Sequence, residues 1–318
     1  MAASIRALAM EGFDRAPAVI DVPAPEPVAG EVLVRVRAAS VNAYDTFVAM
    51  GMMKDHLPYE FPAVLGQDVS GVVLSVGPGV EGFRENDMVF GTLGMRATVH
   101  DGTFAELAVP QAASLAVTPE GVDDLQAGSL GVAGTTAMSA VEALALAEGA
   151  TVLIVGATGG VGTFAVQLAA LRGAHTIASI RPGDEFFLAE LRAAETVDYT
   201  ADLAATVRRV YPGGVDALID LVNRDPMAFA ALAGLVRDGG RAVSAVGGAG
   251  ESSLIGTVAV ANVGSNPAYL TPLAEMVADG RLRAAIQRTY PLEDGAQALR
   301  DLAEQHTLGK LVITVEPA

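Results

Sequence analysis

The 318-residue chain contains no cysteine. That excludes disulfides, thiolate catalysis and thiolate metal ligands together, and it says nothing about compartment. Histidine is nearly as scarce. His56, His100, His175 and His306 are scattered and form no pair at ligand spacing, so each reads as a surface or loop histidine and no metal site is expected. Basic residues number 20 against 37 acidic ones, and the formal net charge of −17 argues against a nucleic-acid partner or an anionic membrane surface. The acidity reads as a solubility feature. No apolar run approaches the roughly 18 residues that a spanning helix needs. The opening "MAASIRALAMEG" has neither a basic leader nor a full hydrophobic region. A soluble cytoplasmic protein is therefore the expectation.

What is present describes an ordinary globular chain: 51% of residues are hydrophobic and 18% charged. The length exceeds what one core usually supports, so two domains are expected. Up to about Pro110 the sequence reads as strands. "EVLVRVRAASVN" alternates Val32, Val34 and Val36 with Leu33, Arg35 and Arg37, and "DVSGVVLSVGPGV", "DMVFGTL" and "FAELAVP" follow between turn residues. The texture changes at Gly121. "VDDLQAGSLGVAGTTAMSAVEALALAEG" reads as largely helical, and short strands then alternate with helices from "TVLIV" to "RAVSAVG", with "MAFAALAGLVRDGG" taken as the last of these helices. Such alternation predicts right-handed crossovers and a parallel, doubly wound sheet. The closing "AAIQRTYPLEDGAQALRDLAEQ" and "GKLVITVE" read as strand, helix and strand, which extend the second domain or return to the first.

The stretch "VGATGGVG" lies between the apolar run "TVLI" and the helical "TFAVQLAALRG". Its glycines at 156, 159 and 162 follow G-x-x-G-x-x-G rather than the standard G-x-G-x-x-G, but the physical task is similar. A residue without a β-carbon lets the backbone approach a pyrophosphate, and another lets helix and sheet pack closely. Gly156, Ala157, Thr158, Gly159, Gly160 and Val161 are thus candidate nucleotide-binding residues. An NAD-preferring site normally has an acidic residue about 20 positions further on, to hold the ribose 2′-hydroxyl. Here the next strand ends Ser179, Ile180, Arg181. A hydroxyl and a guanidinium suit a 2′-phosphate, so NADP(H) is the expected cofactor. The alternative is that Arg181 is a solvated loop charge and Asp184 or Glu185 folds back onto the ribose.

With these residues the chain resembles the medium-chain dehydrogenase/reductase superfamily, in its zinc-independent quinone oxidoreductase (zeta-crystallin-like) branch. "VIDVPAPEPVAGEVLVRVRAASVNAYD", "PAVLGQDVSGVVLSVG", "GVAGTTAMSAVEAL", "VGATGGVG", "AAETVDYT" and "GKLVITV" carry the resemblance along essentially the whole chain. It implies a GroES-like β-rich domain at residues 1–120, completed by 286–318, a Rossmann-type NADP-binding domain at 121–285, and an active site in the cleft between them. It places Asn42 and Thr136 beside the nicotinamide as catalytic and cofactor-binding residues, Tyr199 near the adenosine phosphate, and Val246 and Gly247 along the cofactor.

Zinc-dependent members of this superfamily hold a metal with a cysteine and with the His and Glu of a "GHE" motif. The corresponding places here carry Asn42, Gln67 and Asp68, two amides and a lone carboxylate. Without a metal to polarise an alkoxide, hydride donation from NADPH to an electron-poor acceptor is the favourable chemistry. The leading expectation is a quinone reductase. Alternatives are an enoyl or enone reductase, and an NADPH-binding structural or regulatory protein without turnover. The pocket segment departs from the family pattern: "AMGMMKDHLPYE" puts Met53 where a tyrosine is common, and Met138 stands where "TAY" is usual. Tyr44 and Tyr59 are the nearby phenols able to donate a proton, and Met50, Met52 and Met53 read as flexible lining. The apolar "SLIGTVAVANVG" reads as an edge strand able to pair two copies, so a homodimer is expected.

Overall fold

The computed structural model describes residues 3–315; the ends of the opening and closing segments, 1–2 and 316–318, lie outside the described residues. The chain divides into two units, Met1–Val132 with Pro267–Ala318, and Ala133–Asn266. The first unit thus takes in more of the chain on both sides than 1–120 and 286–318.

The first unit is β-rich. Its larger sheet runs in the order Ile286–Pro291, Lys310–Thr314, Val32–Ser40, Asp68–Val76, Met88–Thr92 and Leu115–Val117. Val32, Val34 and Val36 are buried while Arg35 and Arg37 face solvent, as a half-buried strand requires. The alternation stops at Ala38, Ala39 and Ser40, which are all buried, where the strand Lys310–Thr314 pairs antiparallel with them and the helix Asp124–Ala127 packs against the strand. That pairing returns the end of the chain to this unit and carries the next residues, Val41 and Asn42, into the interior. The segment "FAELAVP" forms only the two-residue strand Leu107–Ala108, and its neighbours join the strands Ser4–Met10 and Val32–Ser40 by isolated bonds rather than a continuous ladder.

The second unit is a mostly parallel sheet in the order Glu195–Asp198, His175–Ile180, Thr151–Val155, Val215–Asp220, Val236–Ser244, Val258–Asn262 and Leu254–Ile255. Thr151–Val155 and Val215–Asp220 are parallel neighbours, and between them the order in which the chain adds strands reverses, the switch point where ligands bind in such folds. The central strand Thr151–Val155, TVLIV, is an apolar run buried from Val152 to Val155, as a strand covered on both faces requires. Leu153, Ile154, Leu218, Ile219 and Phe229 are fully buried, each such side chain contributing about 1.5–3 kcal/mol of transfer free energy.

Three segments fold differently from the sequence expectation. The helical stretch after Gly121 is broken into Asp124–Ala127, a π-type turn at Leu130–Gly134 and the helix Thr135–Leu144. The helix Pro226–Ala233 ends before "VRDGG", which instead opens the strand Val236–Ser244. The "SLIGTVAVANVG" segment is a hairpin of Leu254–Ile255 and Val258–Asn262, turned at Gly256 with φ +59°. Among the described residues no helix is long and apolar enough to cross a membrane.

Candidate functional site

In the second unit the strand Thr151–Val155 leads through the glycine turn into the helix Gly160–Leu171. Gly156 has φ +84°, a conformation that disfavours a side chain. A β-carbon at Gly162 would collide with the Gly156 carbonyl and the Ala157 backbone, so only glycine lets this helix start so close to its strand. At Gly159, by contrast, a β-carbon would meet only the Gly156 oxygen at 3.6 Å. Gly159 is also the N-cap and has no side chain to cap the helix. The first-turn amides and the helix dipole are therefore left for an anion over open space, which fits a pyrophosphate. Ala157 and Thr158 turn buried side chains into the unit, and Val161 is half-buried.

The two residues expected to meet a 2′-phosphate separate in role. Ser179 is buried, and its Oγ accepts the Gly156 N–H at 3.0 Å, so it braces the glycine turn. Arg181 is exposed just past its strand; its Nε donates to the Tyr199 hydroxyl at 2.5 Å, and its guanidinium lies 5.9 Å from that ring's centre. The remaining guanidinium N–H groups carry no hydrogen bond to the described residues. The neighbouring carboxylates are engaged with the turn: Asp184 Oδ2 accepts the Arg181 N–H and Glu185 Oε2 the Gly183 N–H. Val246 and Gly247 follow the strand Val236–Ser244; Val246 N donates to Ser244 Oγ, and Gly247, at φ +86°, has open space where a β-carbon would stand. Thr136 lies in the first turn of Thr135–Leu144 and is 6% exposed. Thr135 donates to Ser265 Oγ, whereas the Thr136 hydroxyl has no hydrogen bond among the described residues.

In the first unit Asn42 is the N-cap of the helix Ala43–Ala49, and Asp45 Oδ2 accepts its backbone N–H at 2.7 Å. The Asn42 amide is held on both sides. Its Nδ2 donates to Asp68 Oδ2 at 2.9 Å and to the Ser40 carbonyl at 3.3 Å, and its Oδ1 accepts from Lys310 Nζ at 2.7 Å. Asp68 also accepts the Ser40 hydroxyl and, through Oδ1, the Val132 N–H at 2.6 Å. Burial pushes the Asp45 carboxyl up to about 8, with the Asp68 charge adding to the effect, so at neutral pH Asp45 is mostly protonated. Its Oδ1 is buried without a partner. Burial lowers the Lys310 ammonium, against the pull of Asp68 and Asp45. Of the two phenols, Tyr59 donates to the Val48 carbonyl at 3.1 Å, while the Tyr44 hydroxyl has no hydrogen bond among the described residues. Tyr44 is half-buried, and burial followed by the Asp45 charge raises it.

Lys310 and Asp45 lie outside the residues picked from motifs, and Asp68 enters the sequence reading only as a lone carboxylate at a metal-ligand place. The one available signal is a lone lysine opening the apolar run "KLVIT". The donor set at Asn42, Gln67 and Asp68 does not fit a metal ion: the amide and the carboxylate are bonded to each other, and an ammonium already lies 3.8 Å from Asp68 Oδ2.

Two family models match the chain, the alcohol dehydrogenase GroES-like domain over residues 28–120 and the zinc-binding dehydrogenase domain over 191–313. The chain is 28% identical to the chloroplast envelope quinone oxidoreductase homolog of Arabidopsis thaliana, over 92% of each chain. It is 30% identical to a mitochondrial NAD(P)H oxidoreductase of Mus musculus, over 90% of this chain and 82% of that one. It is 34% identical to the spectinabilin polyketide synthase system protein NorB of Streptomyces orinoci, over 93% of this chain but 14% of that longer protein. The solved quinone oxidoreductase of Coxiella burnetii superposes with a TM-score of 0.84 at 27% identity, over 99% of this chain and all of that one. Fold and site define a two-unit protein with a GroES-like part and a dinucleotide-type sheet. The chain belongs to the medium-chain dehydrogenase/reductase superfamily, in its quinone oxidoreductase-like branch.

Proposed function

We propose that the protein is a zinc-independent, NADPH-dependent oxidoreductase that transfers hydride to a quinone or another conjugated electrophile. The observation that carries this reading is the glycine turn at the sheet's switch point, with Arg181 and Tyr199 at the ends of the next two strands. The uncapped helix start binds the pyrophosphate, and the unpaired guanidinium N–H groups grip the 2′-phosphate. The bound nicotinamide supplies the hydride; the chain holds and orients it and keeps water away. Thr136 and Asn42 are the residues assigned to the nicotinamide, with Gly247 offering close backbone approach. The protein works in the cytoplasm as a homodimer.

The test is NADPH consumption against a panel of quinones, enones and enoyl thioesters with product identification, before and after exhaustive chelation. Turnover that survives chelation is expected. Stoichiometric zinc lost together with activity would overturn the metal-free assignment, and tight NADPH binding without turnover on any acceptor would favour a binding protein.

A second reading, reduction of an α,β-unsaturated ketone or thioester, is favoured by the identity to a polyketide synthase protein and by the free Tyr44 hydroxyl. That reaction needs a proton for the carbon next to the carbonyl, whereas a quinone can take its protons from solvent. Tyr44 is the available phenol, because the Tyr59 proton is committed to Val48.

A further inference from the structure

Lys310 is 2% exposed. Removing an ammonium from water costs several kcal/mol, and a buried ion pair replaced as a whole by apolar side chains of similar volume is often neutral or stabilising. Its Nζ has three partners: the Val41 carbonyl at 3.0 Å, Asn42 Oδ1 at 2.7 Å and Asp68 Oδ2 at 3.8 Å. All of them are Asn42, its neighbour in sequence, or the carboxylate that Asn42 itself binds. The cation is thus spent entirely on the surroundings of one amide.

That amide has two nearly isosteric ends, and the cluster distinguishes them by charge. A carboxylate faces Nδ2 and an ammonium faces Oδ1, so the flipped amide would set oxygen against carboxylate and N–H against ammonium. The carboxylate is itself fixed by the Ser40 hydroxyl and the Val132 N–H. A β-carbon at Gly131 would collide with Asp68 Oδ1, so glycine there is what lets Asp68 sit so close. Both Nδ2 hydrogens are used, on Asp68 and on Ser40. What Asn42 retains is the second lone pair of Oδ1, which makes it an acceptor and not a donor.

We propose that Lys310 is a positioning residue that locks the Asn42 amide in a single orientation, so that Asn42 presents only an accepting oxygen, suited to an N–H group such as the nicotinamide carboxamide. This rests on the assignment of Asn42 to the cofactor made above. Removing the ammonium leaves Asp68 without its counter-charge in a dry site, and the amide loses the partner that tells its oxygen from its nitrogen.

The test is NADPH affinity, read by the fluorescence of the bound dihydronicotinamide, for wild type, K310M, N42A and K310M/N42A. If Lys310 acts through Asn42, K310M weakens NADPH about as much as N42A does, roughly tenfold, and adds nothing in the N42A background. With any acceptor the wild type reduces, kcat should fall roughly ten- to a hundredfold in the same non-additive way. A K310M protein that binds NADPH like wild type, or losses that multiply in the double variant, overturns the proposal. If K310M does not fold, K310Q, which keeps a neutral donor, takes its place, and loss of the fold in both means that Lys310 is only structural. A wild type that binds no NADPH refutes the cofactor reading instead, and is told apart because it fails before any substitution is made.

Discussion

On the proposed reading, Arg181 is the residue that would separate two cofactors differing by one phosphate. The carboxylates beside it, Asp184 and Glu185, each accept a hydrogen bond from an amide of the turn. A charge-assisted hydrogen bond contributes on the order of 1.5–3 kcal/mol, and about 1.4 kcal/mol is tenfold in affinity. R181A should weaken NADPH by roughly ten- to a hundredfold and leave NADH nearly unchanged, measured by titrating both cofactors at fixed ionic strength. Equal losses for the two would make Arg181 a support of the fold, and a wild type that prefers NADH would sink the NADP assignment. On the second reading, Tyr44 would divide the two acceptor classes in the same manner. General acid catalysis by a positioned group contributes roughly a hundredfold or more, so Y44F should cost about that much with an enone and little with a quinone. An equal loss on both acceptors would place Tyr44 in packing rather than proton transfer.

The short helix Ala43–Ala49 begins on a carboxyl whose environment disfavours its charge. Asp45 is pushed up to about 8, mainly by burial and further by Asp68, and it is opposed by the Asn42 N–H and the Lys310 charge. In the unfolded chain it titrates near 4. Between these values the folded protein keeps a proton that the unfolded chain has released, so Asp45 lowers stability progressively as pH rises from about 4 to about 8. D45N removes the titration and keeps the shape. Relative to wild type it should gain more than about 1 kcal/mol on going from pH 5 to pH 8, read from urea midpoints at each pH. A difference that does not change with pH would show that Asp45 is charged throughout.

The same helix shows where legibility in the sequence ends. Elements with a strong period, such as Val32–Ser40, or with a steric demand that one residue type meets, such as the turn from Gly156 to Gly162, are readable because the cause is local. Ser179, Arg181 and Tyr199 are readable as a group by their place past the strand, but not their division of labour, which depends on which side chain turns inward. Lys310 is not readable, because its partner Asn42 lies 268 positions away and the antiparallel pairing of Lys310–Thr314 with Val32–Ser40 is what brings them together. The strand at "VRDGG" is hidden for a related reason: glycine and charge are poor strand formers, and only Val236 of this stretch pairs with Val215–Asp220 before the register jumps to Arg241.

At the scale of the whole molecule, the sheet of the second unit is guarded unequally at its ends. One end is the parallel strand Glu195–Asp198; the other is the two-residue strand Leu254–Ile255, antiparallel to Val258–Asn262. Leu254 is 60% exposed on that outer edge. An apolar edge with unpaired backbone groups is a template for another strand, and proteins that stay monomeric blunt such edges with charge, proline or a cover. Neither Leu254 nor Ile255 supplies such a blunting charge. Two copies meeting edge to edge about a twofold axis would satisfy the backbone groups and remove Leu254 from water, in a self-complementary contact that closes on itself. The protein should therefore be a homodimer at micromolar concentration by light scattering. L254K, which places a charge on the edge, should shift it toward monomer while NADPH affinity stays within about twofold, because the glycine turn and Arg181 lie elsewhere in the sheet. A monomeric wild type refutes this assembly, and a dimer indifferent to L254K would place the contact on another surface.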